Sequence, residues 1–342
     1  MDSIIFDHLP LGETYIPNKL IARESHIRQI FSCLFPLLNK QRPVHIWLYG
    51  KPGTGKTSCA TYALRTLEEK QAVRTIIINC WKKRTFYEIL DEMISQFRVL
   101  RADEHRTSFK LEKLRKFING KPLVVMLDEV DRIKNGELST ILYNLESVLN
   151  AGIICISNTT EAMVNLEERV RSRLNPRVLH FSAYTQKQLL EIISFRAEHA
   201  LAPKSWSATA LQNIAKTAHG DARIAIGTLQ RAAIAVEQRR GDRITPATLK
   251  QQINASKQAR QKGILNSLTD DHRILYRIIA DKGKALSGEL WDEYLQHCNQ
   301  LDRKPLSSRS FSDYCNRLTR SGLVTSERAR MKGKVRMFQA NC

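Results

Sequence analysis

Acidic residues are in short supply in this sequence: 34 Asp and Glu stand against 54 Lys and Arg, which gives a net charge of +20 over 342 residues. This imbalance favours a polyanionic partner, with nucleic acid ahead of an acidic membrane surface. Long apolar runs are also missing, since none approaches the roughly 20 residues that span a bilayer. The first residues, MDSIIFDHLP, lack the basic start and the apolar core of a signal peptide. We therefore expect a soluble protein inside the cell, with no membrane partner.

Paired cysteines are missing as well. The seven cysteines include no CxxC pair, and their number is odd. Cys80 and Cys155 end apolar runs, a position typical of small buried side chains. The sequence thus argues against a disulfide framework and against a cysteine zinc site, and it favours a reducing compartment. It also shows no internal repeat and no low-complexity tract.

Five short apolar segments predict buried parallel strands, because each is rich in Ile, Val or Leu but too short for a buried helix. They are VHIWLY (44–49), RTIIINC (74–80), PLVVMLDEV (122–130), GIICISN (152–158) and the weaker RVLHFS (177–182). Helical spacing separates them at residues 57–70, 84–97 and 109–118. Alternating strands and helices predict an α/β fold with a doubly wound parallel sheet over about residues 40–182.

After residue 182 the pattern changes twice. Helical spacing alone continues at residues 186–200, 207–218, 221–239 and 245–253. These segments predict a small all-helical domain, and the polar, basic segment 254–263 is either a hinge or a helix end. From residue 268 the predicted elements are helices at 270–281, 287–300 and 307–321, followed by a strand, a basic turn and a strand. Three helices and a β-hairpin are typical of a winged helix.

Residues 50–57, GKPGTGKT, match the pattern G-x-x-x-x-G-K-[ST] in full. They lie between a predicted strand and a predicted helix, which is the context that this phosphate-binding motif requires. Its backbone N–H groups surround phosphate oxygens, and the helix N-terminus adds a partial positive charge. We expect Lys56 to bridge the β- and γ-phosphates of ATP and Thr57 to hold Mg²⁺. The other expected nucleotide contacts in the motif are Pro52, Gly53, Thr54, Gly55 and Ser58.

The acidic half of such a site follows in the segment LVVMLDEVD. Asp128 ends an apolar strand, so its carboxylate emerges at the carboxyl edge of the sheet, where it can reach Mg²⁺ beside the phosphate loop. Glu129 suits the orientation or deprotonation of an attacking water. The sequence therefore predicts a Mg²⁺-dependent site that binds ATP or ADP and hydrolyses ATP.

These two motifs resemble those of the AAA+ ATPases, and three further segments follow in the order of that family. Asn158, which ends GIICISN, matches the polar residue called sensor 1. Arg223, in the segment HGDARIAIGTLQRA, matches the sensor 2 arginine of a helical lid. The segment RVRSRLNPRV matches the region of arginines that act on a neighbouring subunit. Arg173 fits that role best, with Arg171 and Arg169 as alternates, although LEERV stands where Asp-Pro is expected.

The resemblance is narrower than AAA+ in general. LDEVDRI, ILYNLESV, ISNTT and GDARIA are similar to segments of the archaeal-type origin-recognition and replication-initiator family. So is YIPNKLIARESHIRQI (15–30), which resembles the family's adenine-pocket segment and implies base contacts from Tyr15, Pro17 and Arg23. The family's initiator-specific helical insertion, expected near 82–101, is trimmed here.

The resemblance extends over roughly residues 13–340. It implies an AAA+ P-loop core with a five-stranded parallel sheet at 1–184, a helical lid domain at 185–262 and a C-terminal winged-helix domain at 263–342. In the winged helix, residues 301–342 hold ten basic and three acidic residues.

The predicted recognition helix, 307–321, is amphipathic. Phe311, Cys315 and Leu318 share a stripe that should face the core. The residues on the opposite side, which suits contact with a DNA major groove, are Arg309, Asn316, Arg317 and Arg320. The basic residues of the following hairpin, suited to phosphate or the minor groove, are Arg328, Arg330, Lys332, Lys334 and Arg336. A winged helix can also bind protein, and a weaker basic surface lies at 81–90 and 97–106.

The family resemblance implies a replication initiator that binds double-stranded origin DNA through the winged helix and the core. ATP binding and slow hydrolysis would then act as a switch for origin binding and helicase recruitment. The implied partners are a replicative helicase or other initiator subunits, in a homo- or hetero-oligomer on DNA. The implied location is the cytoplasm at the nucleoid, or the nucleus of a eukaryote. Two alternatives stay open: an AAA+ motor or loader, of the branch-migration helicase or clamp-loader kind, and a winged-helix transcriptional regulator.

Overall fold

The structure is a computed structural model of the chain. It describes residues 3–39, 41–69, 73–99, 106–134, 136–251, 268–300, 303–328 and 335–340. The backbone separates into two compact units, Met1–Leu249 and Lys250–Cys342. The finer division at 184/185 and 262/263 stays a prediction. Of the helices that the structure describes, none has the length and apolar composition of a membrane span.

The first unit is built on a five-stranded parallel sheet. Its strands are β1 Ile46–Tyr49, β2 Arg74–Asn79, β3 Leu123–Asp128, β4 Gly152–Ser157 and β5 Arg177–His180. Their order across the sheet is β2-β3-β4-β1-β5. β4 is buried along its whole length, as expected for a parallel strand that is covered on both faces. The predicted sheet is confirmed.

Helices cover both faces of this sheet. They are α1 Glu24–Leu34, α2 Lys56–Glu69, α3 Phe86–Gln96, α4 Thr107–Ile118, α5 Glu137–Ser147, α6 Glu161–Val164 and α7 Glu168–Leu174. One apolar core includes Trp47, Val125 and Leu127, and the core on the other face includes Leu48 and Val124. Because neighbours in a strand point to opposite faces, these alternating residues fill both cores. The sheet is therefore doubly wound.

A helical part completes the first unit. Its helices are α8 Gln186–Ala200, α9 Ala208–Thr217, α10 Ala222–Gln238 and α11, which is described over 246–251. Their core includes Leu189, Ile193 and Leu229, and Ile4 and Leu11 near the start of the chain pack into it. The segment before the sheet is thus anchored in the helical core.

The second unit is a small helical domain with a three-stranded sheet. Its elements are α12 Asp270–Lys282, β6 Lys284–Leu286, α13 Ser287–Gln300, α14 Ser308–Arg320, β7 Val324–Arg328 and β8 Arg336–Ala340. The strands pair antiparallel in the order β6-β8-β7. Strand β6 was not predicted, because three residues are too few for an alternating pattern. The predicted hinge at 254–263 lies outside the described residues.

His272 is buried in this domain, with 1% of its surface exposed. Its ring stacks on Tyr314 with centroids 3.9 Å apart, and Nδ1 lies 2.7 Å from the Thr269 hydroxyl oxygen. Nε2 has no hydrogen-bond partner among the described residues. Burial, aided by the nearby charge of Arg317, lowers the pKa of His272.

This burial predicts acid sensitivity of the domain. The unfolded chain gains a proton on His272 as the pH falls through about 6.5, whereas the folded domain resists it, so the free energy of unfolding decreases. We expect this domain to unfold at a lower urea concentration at pH 5.5 than at pH 7.5. The measurement uses the full chain and a fluorescence signal from residues 263–342. His272→Gln should lessen this pH dependence and His297→Gln should keep it; equal dependence in both variants would contradict the prediction.

Candidate nucleotide site and nucleic-acid interface

The phosphate loop connects β1 to α2 and needs glycine at Gly50, Gly53 and Gly55. Gly53 and Gly55 have φ angles of +70° and +88°, which favour glycine. A Cβ atom on Gly53 would lie 1.8 Å from Oδ1 of Asp221, and one on Gly55 would lie 2.4 Å from the Tyr184 hydroxyl oxygen. The loop is therefore packed directly against residues of the helical part and of the connection to it.

Lys56 and Thr57 begin α2 at the carboxyl edge of the sheet. Lys56 is 7% exposed, and its Nζ donates hydrogen bonds to the carbonyl oxygens of Gly50 (2.6 Å) and Lys51 (2.9 Å). Burial lowers the pKa of Lys56, and the charge of Asp128 opposes this shift. The Thr57 hydroxyl donates to Oδ2 of Asp128 at 3.0 Å. The structure thus brings together the two halves of the site that the sequence indicated.

This pair fits a magnesium ion. Mg²⁺ prefers oxygen ligands and is usually bound by one or two protein groups together with substrate phosphates. Thr57 supplies a hydroxyl oxygen and Asp128 a carboxylate oxygen at the same point. Burial raises the pKa of Asp128, while the hydrogen bond from Thr57 lowers it. A buried carboxylate in this position gains from a cation.

Glu129 follows Asp128 with its backbone in the left-handed region, at φ 59° and ψ 46°. Such backbone strain in a residue other than glycine is concentrated at functional sites. It starts a short 3₁₀ turn, Val130–Arg132, which carries a third acidic residue, Asp131. Oδ2 of Asp131 accepts a hydrogen bond from the backbone N–H of Asn158 at 2.7 Å. Sequence reasoning missed Asp131, although the segment LDEVD displayed it.

Asn158 follows strand β4. The hydrogen bond that its backbone N–H donates to Asp131 joins it to the turn that follows Glu129. Oδ1 of Asp131 is buried and has no partner among the described residues. The backbone places Asn158 beside the acidic turn, as the sequence indicated. Its contact with nucleotide stays a prediction.

The helical part reaches the phosphate loop through the start of α10. The backbone N–H of Ala222 donates to the carbonyl oxygen of Gly53 at 3.0 Å. Oδ1 of Asp221 accepts from the N–H groups of Arg223 (2.8 Å) and Ile224 (3.2 Å), which caps the helix. Arg223 lines the same cavity as Lys56 and Thr57, as the sequence indicated. Asp221 was not predicted, although an Asp before a helical segment is a capping signal.

A cavity of about 460 Å³ extends from the loop, whose residues Gly53 to Ser58 line one side. Pro52 is exposed and is not part of this lining. A set of apolar residues, here called the apolar wall, also lines the cavity: Ile16, Pro17, Leu20, Ile192, Phe195 and Ile226. A cavity that combines phosphate-binding groups with an apolar wall suits a nucleotide. Pro17 lies where the sequence indicated.

Tyr15 lies beside this wall rather than in its lining. The guanidinium of Arg196 lies 4.8 Å from the Tyr15 ring centroid and donates to the Tyr15 carbonyl oxygen at 3.0 Å. Arg196 also donates to the Pro10 carbonyl oxygen at 2.7 Å. Arg196, which sequence reasoning missed, thus fixes the segment that supplies the apolar wall.

Arg23 differs more clearly from its expected place. It is 3% exposed and does not line the cavity. Its Nε donates to the Thr54 carbonyl oxygen at 3.0 Å, so it supports the phosphate loop. The assignment of Arg23 to the base pocket is corrected accordingly, because its guanidinium is held by the carbonyl oxygens of Thr54 and Ser182.

The three candidate trans-acting arginines lie on or beside α7, and none of them lines the cavity. Arg173 forms an ion pair with Glu146 of α5, and its guanidinium lies 5.5 Å from the Tyr143 ring centroid. Arg171 donates to the Val164 carbonyl oxygen at 3.3 Å, and Arg169 pairs with Glu167 at 2.9 Å. Action on a neighbouring subunit stays a prediction.

In the second unit, α14 has the two faces that its sequence predicted. Phe311, Cys315 and Leu318 are buried in the domain core. The exposed residues are Arg309, Arg317 and Arg320, and Asn316 is half-buried. Oδ1 of Asn316 accepts a hydrogen bond from Nη1 of Arg336 at 2.7 Å, which joins α14 to β8. Arg330, Lys332 and Lys334 lie outside the described residues.

Family models match three consecutive parts of the chain. An AAA domain matches residues 40–161, a Cdc6 AAA+ ATPase-type lid domain matches 190–254, and a CDC6 C-terminal winged helix domain matches 274–342. These matches agree in type and order with the sheet, the helical part and the second unit.

Three similar proteins come from archaea. An ORC1-type DNA replication protein of Thermoplasma volcanium is 30% identical over 363 residues, which cover 96% of this chain and 86% of the relative. ORC1-type DNA replication protein 9 of Halobacterium salinarum is 28% identical over 335 residues, covering 95% and 91%. The Aeropyrum pernix ORC1 protein, solved in complex with DNA, is 26% identical, with a TM-score of 0.76 and coverage of 100% and 95%. The chain therefore belongs to the family of ORC1-type DNA replication proteins.

Proposed function

We propose that this protein is a replication initiator that binds double-stranded origin DNA and uses ATP as a switch. The observation that carries the switch is the hydrogen bond from Ala222 to Gly53, which joins the start of α10 to the phosphate loop. A change in the loop is thereby passed directly to the helical part. The similarity to an ORC1 protein solved in complex with DNA supports the DNA-binding half of the proposal.

The nucleotide half follows from the residues of the loop. Its backbone N–H groups and the N-terminus of α2 attract the phosphates, and Lys56 exchanges its two carbonyl partners for phosphate oxygens. Bound Mg²⁺ would neutralise phosphate charge at Thr57 and Asp128. Glu129 orients the attacking water, with Asn158 beside it.

Two arginines extend this site beyond the loop. Arg223 lines the cavity from α10, so its contact with the phosphates reports the nucleotide state to the helical part. Arg173 acts on the nucleotide of a second subunit, for which it exchanges its partner Glu146. Hydrolysis is slow in this proposal, because its use is to end a DNA-bound state rather than to drive movement.

The DNA half rests on α14 and β8. Arg309, Arg317 and Arg320 form an exposed basic face on a helix whose other side is fixed in the core. A helix of this kind enters the major groove, and its arginines contact bases or phosphates. The bond between Asn316 and Arg336 holds the adjoining strand beside this face.

Sequencing of genomic DNA that co-purifies with the protein, with and without ATP, tests the proposal. A few sharp ATP-dependent peaks at replication origins are expected. Even coverage of the genome would instead favour a motor or a loader. Sharp peaks at promoters that do not respond to ATP would favour a transcriptional regulator.

Removal of basic groups from α14 should weaken DNA binding selectively. Arg309→Ala and Arg320→Ala are each expected to lower affinity for origin duplex by roughly 10-fold, since a good base contact contributes about 1–3 kcal/mol. Loss of a phosphate contact should instead reduce the slope of log affinity against log salt by about one. Fluorescence anisotropy at several salt concentrations measures both.

The matched control is Arg277→Ala, which removes an exposed arginine from α12 of the same domain. It should leave both affinity and salt slope close to the wild-type values. Wild-type affinity and slope in the two α14 variants would show that this helix is not the contact surface. ATP binding by the isolated protein should be unchanged in all three variants.

A further inference from the structure

Arg23 is a buried cation at the start of α1. It is 3% exposed, and two of its hydrogen bonds end on backbone carbonyl groups. Burial of a guanidinium is costly unless its donors are satisfied. An arginine in such a position is expected to have a specific structural or functional purpose.

Two separate segments share this one guanidinium. Nε donates to the Thr54 carbonyl oxygen of the phosphate loop at 3.0 Å, and Nη2 donates to the Ser182 carbonyl oxygen at 2.7 Å. The guanidinium carbon lies 3.9 Å from the Tyr184 ring centroid and 5.4 Å from that of Phe181. Arg23 thus contacts the loop on one side and residues 181–184 on the other.

Residues 181–184 form the connection between β5 and α8, that is, between the sheet and the helical part. Within it, the N–H of Tyr184 donates to the Gly220 carbonyl oxygen at 3.1 Å. Gly220 directly precedes Asp221, the residue that caps α10. The Tyr184 hydroxyl also lies against Gly55 of the phosphate loop. The connection is therefore in contact with both of the parts that it joins.

We propose that Arg23 is a positioning residue that couples the conformation of the phosphate loop to the connection at 181–184. The guanidinium is planar, and its donors are fixed relative to one another, so Thr54 and Ser182 cannot move independently while both bonds persist. Tyr184 carries the displacement onward to the turn before α10. This inference rests on the proposed nucleotide binding and assigns a second route to the helical part, beside the direct bond from Ala222 to Gly53.

A lysine at position 23 tests whether the coupling between Thr54 and Ser182 requires the guanidinium or only its positive charge. It keeps the positive charge but lacks the fixed fork that holds Thr54 and Ser182 together. Arg23→Lys is to be compared with wild type and with Arg28→Lys, which changes an exposed arginine on the same helix. Arg23→Gln, which keeps one amide donor group, serves as a second variant if the lysine variant is poorly folded. Circular dichroism melts establish that each variant is folded.

Amide hydrogen exchange with and without Mg²⁺-ATP supplies the readout. In wild type and in Arg28→Lys we expect ATP to slow exchange in three segments: the loop at 50–57, the connection at 181–185 and the turn at 219–224. In Arg23→Lys the loop should still respond, whereas the response of the connection should fall about fivefold, the lower end of typical coupling between sites. The turn should keep the part of its response that passes through the bond from Ala222 to Gly53.

The possible outcomes distinguish a failure of the proposed nucleotide binding from a failure of the proposed role of Arg23. If ATP fails to slow exchange in the wild-type loop, the proposed nucleotide binding is wrong. If the loop responds and the connection responds equally in wild type and in both Arg23 variants, Arg23 does not couple them. If Arg23 had a purely structural role, its variants would melt at a different temperature. The ATP-induced slowing of exchange in the loop, the connection and the turn would then keep the same ratios as in wild type.

Discussion

Lys56→Ala is expected to lower the affinity for ATP by about 100-fold or more. Lys56 now donates two hydrogen bonds, to Gly50 and Lys51, from a buried ammonium group. When it turns to the phosphates, these become charge-assisted bonds worth about 1.5–3 kcal/mol each. Because every 1.4 kcal/mol corresponds to about a tenfold change, loss of both bonds predicts this decrease.

Burial makes this lysine more sensitive than a surface cation. Desolvation lowers its pKa, and the charge of Asp128 opposes this shift. A triphosphate beside it would favour the charged form further, so the protein and the nucleotide stabilise each other's charges. Isothermal titration calorimetry with ATP and ADP measures the loss. Since the lysine is also expected to contact the β-phosphate, ADP affinity should fall as well.

The adjoining Lys51 supplies the matched control. Its side chain is exposed, and the structure uses its carbonyl group rather than its ammonium group. Lys51→Ala should therefore bind ATP about as well as wild type. Unchanged ATP affinity in Lys56→Ala would refute the assignment of this loop as the nucleotide site.

Gly53→Ala is the second substitution for which we expect a large effect. The new methyl group would lie 1.8 Å from Oδ1 of Asp221, the oxygen that caps α10. The Asp221 carboxylate therefore has to leave its capping position, which weakens the start of α10 where Ala222 donates to the Gly53 carbonyl oxygen. We expect ATP affinity to fall by roughly 10- to 100-fold, since about 1–2 kcal/mol of backbone strain adds to the loss of Arg223 from the site.

Gly120→Ala separates backbone strain from steric collision. Gly120 has a φ of +68°, close to the +70° of Gly53, but a Cβ atom there would meet nothing within 4 Å. Both variants should lose similar stability through strain, measured by urea unfolding. Only Gly53→Ala should also lose ATP affinity. Equal ATP affinity in the two variants would mean that the contact between the loop and α10 is not required for binding.

Local patterns sufficed for much of this molecule. The apolar runs predicted all five strands of the parallel sheet, and GKPGTGKT predicted the phosphate loop between β1 and α2. Asp128 was found because a strand end fixes where its side chain emerges. These features depend on residues that are close in sequence, so the chemistry of a short segment determines them.

Several of the features that were missed depend on residues far apart in sequence. Arg23 lies 31 residues from Thr54 and 159 residues from Ser182, yet it binds both. Arg196 contacts Pro10, which is 186 residues away. These contacts follow from the strand order β2-β3-β4-β1-β5 and from the return of the first residues to the helical core, neither of which a local pattern specifies.

The segment before α1 is held at both of its ends. Leu11 is packed in the helical core, and Arg23 is fixed beneath the phosphate loop. The residues between them, which include Ile16 and Pro17, supply much of the apolar wall of the cavity. The wall is therefore attached at one end to the helical core and at the other end to the phosphate loop. Because of this, we expect base recognition to be coupled to the position of the helical part. We therefore expect substitutions in this wall to change base selectivity and the position of the helical part together.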